Sequence, residues 1–540
     1  MHLDKILFAV TLGLLAHAFI GYFPYPYGDD FAYAPLADYR ADPTLFARDE
    51  QLQLFANHAK AYNWVHALGT ATFGVEPVFR IAIWMLAAGV AIALYALLAA
   101  LGAPFFVLPA VLGLGVVVQI DGMGRADFGG LISHFFHHHN VALALSLAAI
   151  AAAFWRRPWL AGVLLGLAVF GQPMTAFHGA IVAGLGALLR HPPDAFKMAV
   201  AAMIAALPAA LPILPSILSG PEGEITIDLI QDAYRFRTPH HYDPSWFSVG
   251  LATLYLLAGL AGTVHFWYED RALARCALGA MIGFAILHLV TIIVYKLQVS
   301  QWVGFYILDA NRSSSLLFAL GPALALAGMW RAPNPPLLWI SGTVLIVALT
   351  LNATIGGLLF LVLTVLMWRL ADSVRLRSVL AIALVTALVV LFPAKPFPPA
   401  VPEPTRVALE RIKQETPRDA LFIIPIGMME FRLLAQRSAY VDFKLFSVAQ
   451  PDQATLTRER IDDVGQLSPE NQGLEGWPAA IQFGEEQRLA ATCDGMVRLL
   501  TDVEADYFVR YVAPGETPPV CADLANSISS ETVAVYGPLR

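Results

Sequence analysis

Two neighbouring carboxylates, Asp29 and Asp30, follow Gly28 in a polar stretch just past an apolar run. One carboxylate can take the proton of a hydroxyl as a general base. A pair can hold a divalent cation such as Mg or Mn through its oxygens. A solvated turn after glycine uses the same residues. Further along this stretch stand Arg40, Arg48 and Asp49. Asp49 is a third acid candidate, and the two arginines could meet an anionic substrate.

A second polar stretch holds Asp121, Arg125 and Asp127, then His134, His137 and His138. The spacing i, i+3, i+4 predicts one helical face for the three histidines. Such a face could bind zinc, touch substrate through His138, or pack at a membrane interface. Asp127 competes as another acid. His178 lies inside an apolar stretch, where an ionisable group is a functional candidate by default; a neutral histidine bonded to a neighbouring helix is the alternative. Residues 220–247 bring Arg235, Arg237, His240 and His241 within seven positions. Arginine offers paired donors matched to phosphate, so this loop reads as an anion site for a lipid phosphate or pyrophosphate. Nearby acids could instead neutralise it. Lys296 and Arg312 flank another loop, as additions to that site or as snorkelling anchors.

The elements that must position these groups are mostly buried in lipid. Of 540 residues, 57% are hydrophobic and 14% charged. Soluble domains carry about 25% charged residues. This excludes an ordinary cytosolic enzyme, a disordered chain and a nucleic-acid binder with a basic face. About thirteen apolar runs are long enough for helical spans, the last three at 337–351, 353–369 and 377–393. With the N-terminus inside, every predicted cytoplasmic loop carries Arg or Lys: Arg156-Arg157, Arg190 with Lys197, Arg271 with Arg275, Arg331, and Arg369 with Arg375 and Arg377. The polar segments 23–78, 121–140 and 220–247 then share the outer face with the C-terminus. Residues 50–68 read as an amphipathic helix on the membrane surface. Ala16-His17-Ala18 resembles a signal-peptide cleavage site, but the charge pattern favours a retained first span.

The chain divides at a Pro-rich linker into an apolar body, 1–394, and a tail, 395–540. The tail holds 14 Lys and Arg against 21 Asp and Glu, so it carries the whole net charge of −7. Alternating strand and helix patterns predict a small α/β extracytoplasmic domain, with strands at Ala420–Pro425, Ser438–Phe443, Asp506–Val512 and Thr532–Tyr536. Cys493 and Cys521 could pair in an oxidising compartment. The tail has no phosphate loop, nucleophile elbow or metal-type spacing, so recognition or capping is expected of it.

This layout resembles the GT-C superfamily of polytopic membrane glycosyltransferases. The resemblance rests on Gly28-Asp29-Asp30 after the first span, a surface helix in that loop, about a dozen spans and an extracytoplasmic C-terminal domain. It also extends to bacterial membrane proteins with loops like Asp42–Asp49 and tails like Thr416–Pro425 and Arg437–Lys444. The resemblance implies a multi-pass protein of the cytoplasmic membrane that moves a sugar from a polyprenyl-phosphate donor to a saccharide, lipid or protein acceptor. Asp29 or Asp30 would serve as base or acceptor-positioning group. Arg235, Arg237, His240 and His241 would hold the leaving phosphate. The superfamily includes metal-dependent and metal-independent members. Competing readings are a lipid-linked saccharide polymerase or ligase driven by Arg and His, a transporter built around the Gln172-Pro173 break and His178, and a non-catalytic envelope partner.

Overall fold

A segment surrounded by hydrocarbon must close its backbone hydrogen bonds within itself, so the apolar runs become helices. The structure is a computed structural model that describes residues 3–20, 23–54, 60–109, 111–112, 131–133, 135–211, 226–229, 249–296, 308–331, 399–446, 451–464, 491–513 and 515–539. The body contains α1 (Leu3–Ile20), α2 (Asp30–Ala41), α3 (Glu50–Leu54), α4 (Lys60–Ala71), α5 (Val75–Ala100) and α6 (His138–Phe154). It continues with α7 (Pro158–Gly171), α8 (Pro173–Arg190), α9 (Pro192–Ala210), α10 (Val249–Glu269), α11 (Arg271–Thr291) and α12 (Ser314–Arg331). Among the described residues, four helical stretches are long and apolar enough to cross a membrane: Val75–Ala100, Pro192–Ala210, Arg271–Val294 and Ala310–Arg331. Shorter apolar helices, such as His138–Phe154 and Pro158–Gly171, pack among them. The spans expected at 337–351, 353–369 and 377–393 lie outside the described residues.

Small residues let these helices approach closely, as packing within lipid requires. A Cβ added at Gly166 of α7 would lie 2.5 Å from the Ala205 Cβ of α9. Large apolar side chains such as Trp84, Met85, Phe177, Phe196 and Met203 are exposed around the outside. An apolar exterior of this extent is a membrane-facing surface.

Two ends of the bundle are chemically distinct. At one, Arg190 donates to the Phe154 carbonyl at 2.7 Å, Arg156 meets Asp194 at 3.6 Å and Arg331 meets Glu269 at 3.6 Å. This arginine-rich end carries the tight turns α6–α7, α8–α9 and α10–α11. The opposite end carries α2, the start of α6 and the α7–α8 turn. Gln172 is extended there and Pro173 opens α8 at N1, where proline lacks no needed donor. The Gln172-Pro173 break is therefore the turn of a helical hairpin and not an interruption within one span.

The C-terminal part forms a mixed sheet from β1 (Leu421–Ile423), β2 (Ser438–Ala439), β3 (Tyr507–Tyr511), β4 (Leu524–Ser529) and β5 (Val533–Leu539). The order is β2-β1-β3-β5-β4, parallel across β2-β1-β3 and antiparallel beyond. Helices α13 (Glu403–Glu415), α14 (Phe431–Ala435), α15 (Pro451–Asp463) and α16 (Cys493–Asp502) accompany it. Apolar side chains cover both faces: Phe422, Val509 and Val535 on one, Ile423, Phe508 and Tyr536 on the other. Cys493 and Cys521 form a disulfide.

Residues 23–54 touch both the bundle and the tail. Tyr33, Phe46, Leu52, Tyr62, Phe79 and Phe136 make one buried cluster there, and Leu445 of the tail is inserted into it. Of the helix expected over 50–68, the described residues show α3 and α4, with Leu52 and Tyr62 turned into this cluster; 55–59 lie outside the described residues.

Candidate active site

Gly28 takes φ +58°, a left-handed conformation that glycine adopts without a Cβ penalty. The resulting turn, closed by Asp30 N–H donating to the Tyr27 carbonyl at 3.1 Å, presents both carboxylates at the start of α2. An aspartate at an N-cap ordinarily spends its carboxylate on the first helical amides. Asp29 is the N-cap of α2 but makes no such bond. Its Oδ2 instead lies 2.5 Å from His137 Nε2, and its Oδ1 lies 2.6 Å from Lys444 Nζ. Its side chain keeps 26% exposure.

Asp30 has the opposite environment. It is buried, accepting from Tyr62 Oη at 2.6 Å and from the Tyr27 amide at 2.9 Å. Burial pushes its carboxyl up to about 7, against the opposing pull of those two donors.

His137 lies just before α6. Its Nδ1 accepts from the His139 amide at 3.1 Å as a helix N-cap. A neutral imidazole that accepts at Nδ1 carries its proton at Nε2, which aims that proton at Asp29. Burial holds His137 below the ordinary histidine range, with Asp29 acting in the other direction. The expected single helical face therefore needs correction. His137 is extended at φ −139° and only His138 begins the helix, because the N-cap bond requires non-helical backbone. His134 lies outside the described residues.

Behind this pair the polar network continues along the bundle end. His139 Nδ1 lies 2.7 Å from Gln172 Oε1 and 2.8 Å from Thr175 Oγ1. His178 is fully buried and its Nε2 is 2.9 Å from the Leu308 carbonyl. Arg312 pairs with Asp309 at 2.5 Å and is close enough to act electrostatically on His137. The N-termini of α6, α8 and the Ala310–Ser313 turn leading into α12 thus meet at one place. Helix N-termini present partial positive charge and free amides to anions.

The sequence candidates divide accordingly. Asp29, Asp30, His138, His178 and Arg312 gather at this end. Asp49 does not join them. It is 0% exposed, takes Arg432 Nε at 2.6 Å and Nη2 at 3.1 Å, and accepts the Leu52 and Ala439 amides at 2.9 Å. These contacts make Asp49 a structural bridge between the first outer segment and the tail. Arg48 reaches Asp506 at 2.5 Å, and Arg40 is exposed at the end of α2. Lys296 ends the π-turn Ile292–Lys296 after α11. Asp127, Arg235, Arg237, His240 and His241 lie outside the described residues. Sequence reasoning passed over Tyr62, Lys444 and the Asp29 partnership of His137. Only the histidine run gave a signal; nothing in sequence ties Lys444 to a residue 415 positions earlier.

A divalent cation at the carboxylate pair would need oxygens open to it. Oδ1 and Oδ2 of both aspartates already face proton donors, one of them an ammonium. Among the described residues no group of three or more His, Cys, Asp or Glu could hold a metal. Among the described residues, the groups around this pair do not fit a divalent ion.

Comparison with known proteins adds two kinds of likeness. Residues 403–464 match the family described as "Domain of unknown function (DUF6798)". No curated protein sequence matches significantly. Among solved structures, the chain is similar to the apo oligosaccharyltransferase of Archaeoglobus fulgidus, with TM-score 0.49 and 12% identity over 95% of this chain and 69% of that one. It is also similar to ArnT from Cupriavidus metallidurans bound to undecaprenyl phosphate, with TM-score 0.49 and 12% identity over 99% and 97%. Both neighbours are GT-C glycosyltransferases.

Proposed function

We propose that this membrane protein is a glycosyltransferase that moves a sugar from a polyprenyl-phosphate donor to an acceptor hydroxyl or amide. The observation that carries this reading is Asp29: a helix N-cap carboxylate released from capping, aimed by His137, and placed where three helix N-termini and Arg312 meet. On this reading Asp29 takes the acceptor proton as the acceptor atom bonds to the anomeric carbon. The bond from that carbon to the phosphate oxygen breaks with its electron pair on the oxygen. The lipid phosphate leaves into the field of Arg312 and the helix ends, with Arg235, Arg237, His240 and His241 as further candidates to hold it. Asp30 anchors the turn through Tyr62 and the Tyr27 amide. The reading places the site and residues 395–540 on the outer face of the cytoplasmic membrane, with the N-terminus inside. The transporter alternative is weakened because the Gln172-Pro173 break is an ordinary hairpin turn.

The test is transfer in proteoliposomes, using a panel of polyprenyl-phosphate sugars and cell-envelope acceptors. Asp29→Asn should lower transfer at least a hundredfold, the scale of a lost general base, with protein yield unchanged. Arg312→Ala should raise the donor KM. A bound polyprenyl phosphate mapped inside the bundle, away from both Asp29 and Arg312, would overturn the mechanism.

A further inference from the structure

Lys444 belongs to the tail, yet its ammonium lies 2.6 Å from Asp29 Oδ1. The contact is built from both sides of the lysine in sequence. On one side Asp442 is held by Arg432, which also grips Asp49 of the first outer segment. The Asp442 carboxylate accepts the Leu445 amide at 3.0 Å, tightening the turn that carries Lys444. On the other side Leu445, 1% exposed, is seated among Tyr33, Tyr62, Phe79 and Phe136. Anchored at 442 and 445, the chain has little freedom to withdraw residue 444. The lysine side chain is 16% exposed, so the pair is shielded in a way that surface ion pairs are not.

The position also bears on charge. A half-buried carboxylate is kept ionised by a neighbouring cation. Divalent ions supply one in many oxygen-rich sites, but the oxygens here already face His137, Lys444, Tyr62 and the Tyr27 amide. A metal bound at Asp29 would also meet the ammonium at short range. We infer that Lys444 is the resident cation of this centre: a positioning residue, supplied by the tail, that keeps Asp29 ionised and oriented in place of a metal. This rests on the reading of Asp29 as the group that meets the acceptor. It also gives the tail a part in the chemistry, beyond recognition or capping.

Two measurements on the full-length protein in nanodiscs test it. The first needs no transfer activity: electron paramagnetic resonance of added Mn2+ on wild type and Asp29→Asn. No Mn2+ site that Asp29→Asn removes is expected, and finding one would overturn the inference. The second compares pH profiles of transfer for wild type, Lys444→Met and Lys444→Arg. A neighbouring opposite charge lowers an aspartate by about 1 to 3 units. Lys444→Met should therefore move the acid limb upward by about that much, costing about tenfold in rate one unit below the displaced limb, and Lys444→Arg should restore it. A Lys444→Met limb that stays in place would refute the role, since a purely structural lysine changes protein yield and not the limb. If no donor supports transfer, the functional reading fails and the Mn2+ result still decides whether Asp29 keeps a metal.

Discussion

Asp30 is buried at 3% exposure with a carboxyl pushed up to about 7 by burial. In the unfolded chain the same group titrates at its ordinary value of 3.8. Between these values the folded protein holds a proton that the unfolded chain has released. The contribution of Asp30 to stability is then largest at or below pH 4, falls as pH rises through this window, and levels off above about 7. Three units correspond to about 4 kcal/mol. Asp30→Asn keeps the shape and removes the titration. Its apparent unfolding midpoint in nanodiscs should decline less from pH 4 to 7 than that of wild type, where Glu430 and Asp38, pushed up by burial to about 7 and about 6, add to the slope. Parallel curves for the two proteins would show that Asp30 ionises freely in the fold. The same residue shows how far sequence reaches. Two adjacent acids after Gly28 identified the turn, but only their surroundings separate the half-buried Asp29 from the fully buried Asp30.

At the scale of elements, the buried Arg432 bridge joins parts of the chain almost 400 positions apart. Removing one partner of a buried ion pair strands the others and costs about 3–5 kcal/mol. Arg432→Met should therefore loosen the tail from the first outer segment. Protease should then cut in the linker before α13 at a much higher rate, and resistance equal to wild type would refute the bridge. The disulfide is a second brace. A cross-link over 28 residues contributes about 3.6 kcal/mol by loop entropy. Reduction should lower the unfolding midpoint of the sheet while the bundle melts as before. Elements with a strong local pattern were readable: the expected strands at 420–425 and 506–512 contain β1 and β3, and that at 532–536 covers the first part of β5. Others, among them α2, α15 and β4, were not. Helix α2 includes Pro35 and a short polar turn, which read as loop. Strand β4, Leu524–Ser529, pairs with two register shifts and has small polar residues, so no alternation marks it. Asp49 was read as a candidate acid because its partner, Arg432, is brought in by tertiary folding alone.

At the scale of the molecule, the two ends of the bundle carry opposite logic. Arg156, Arg190 and Arg331 gather at one end with short turns. Short loops rich in arginine are retained on the cytoplasmic side during insertion. Asp29, His137 and the tail sheet occupy the other end, so a lipid-carried donor and its acceptor would meet on the outer side. Single cysteines can read this directly. The chain has three cysteines, two in the disulfide and Cys276 buried, so background labelling is low. Gln414→Cys lies on the exposed face of α13 and Trp159→Cys lies exposed beside Arg157. In intact spheroplasts a membrane-impermeant maleimide should modify the first and leave the second until the membrane is opened. The reverse pattern would put Asp29 and Lys444 on the cytoplasmic side. It would also remove the outer-face acceptor from the proposed reaction, since the carboxylate, its ammonium partner and the helix N-termini all share the end that carries Gln414.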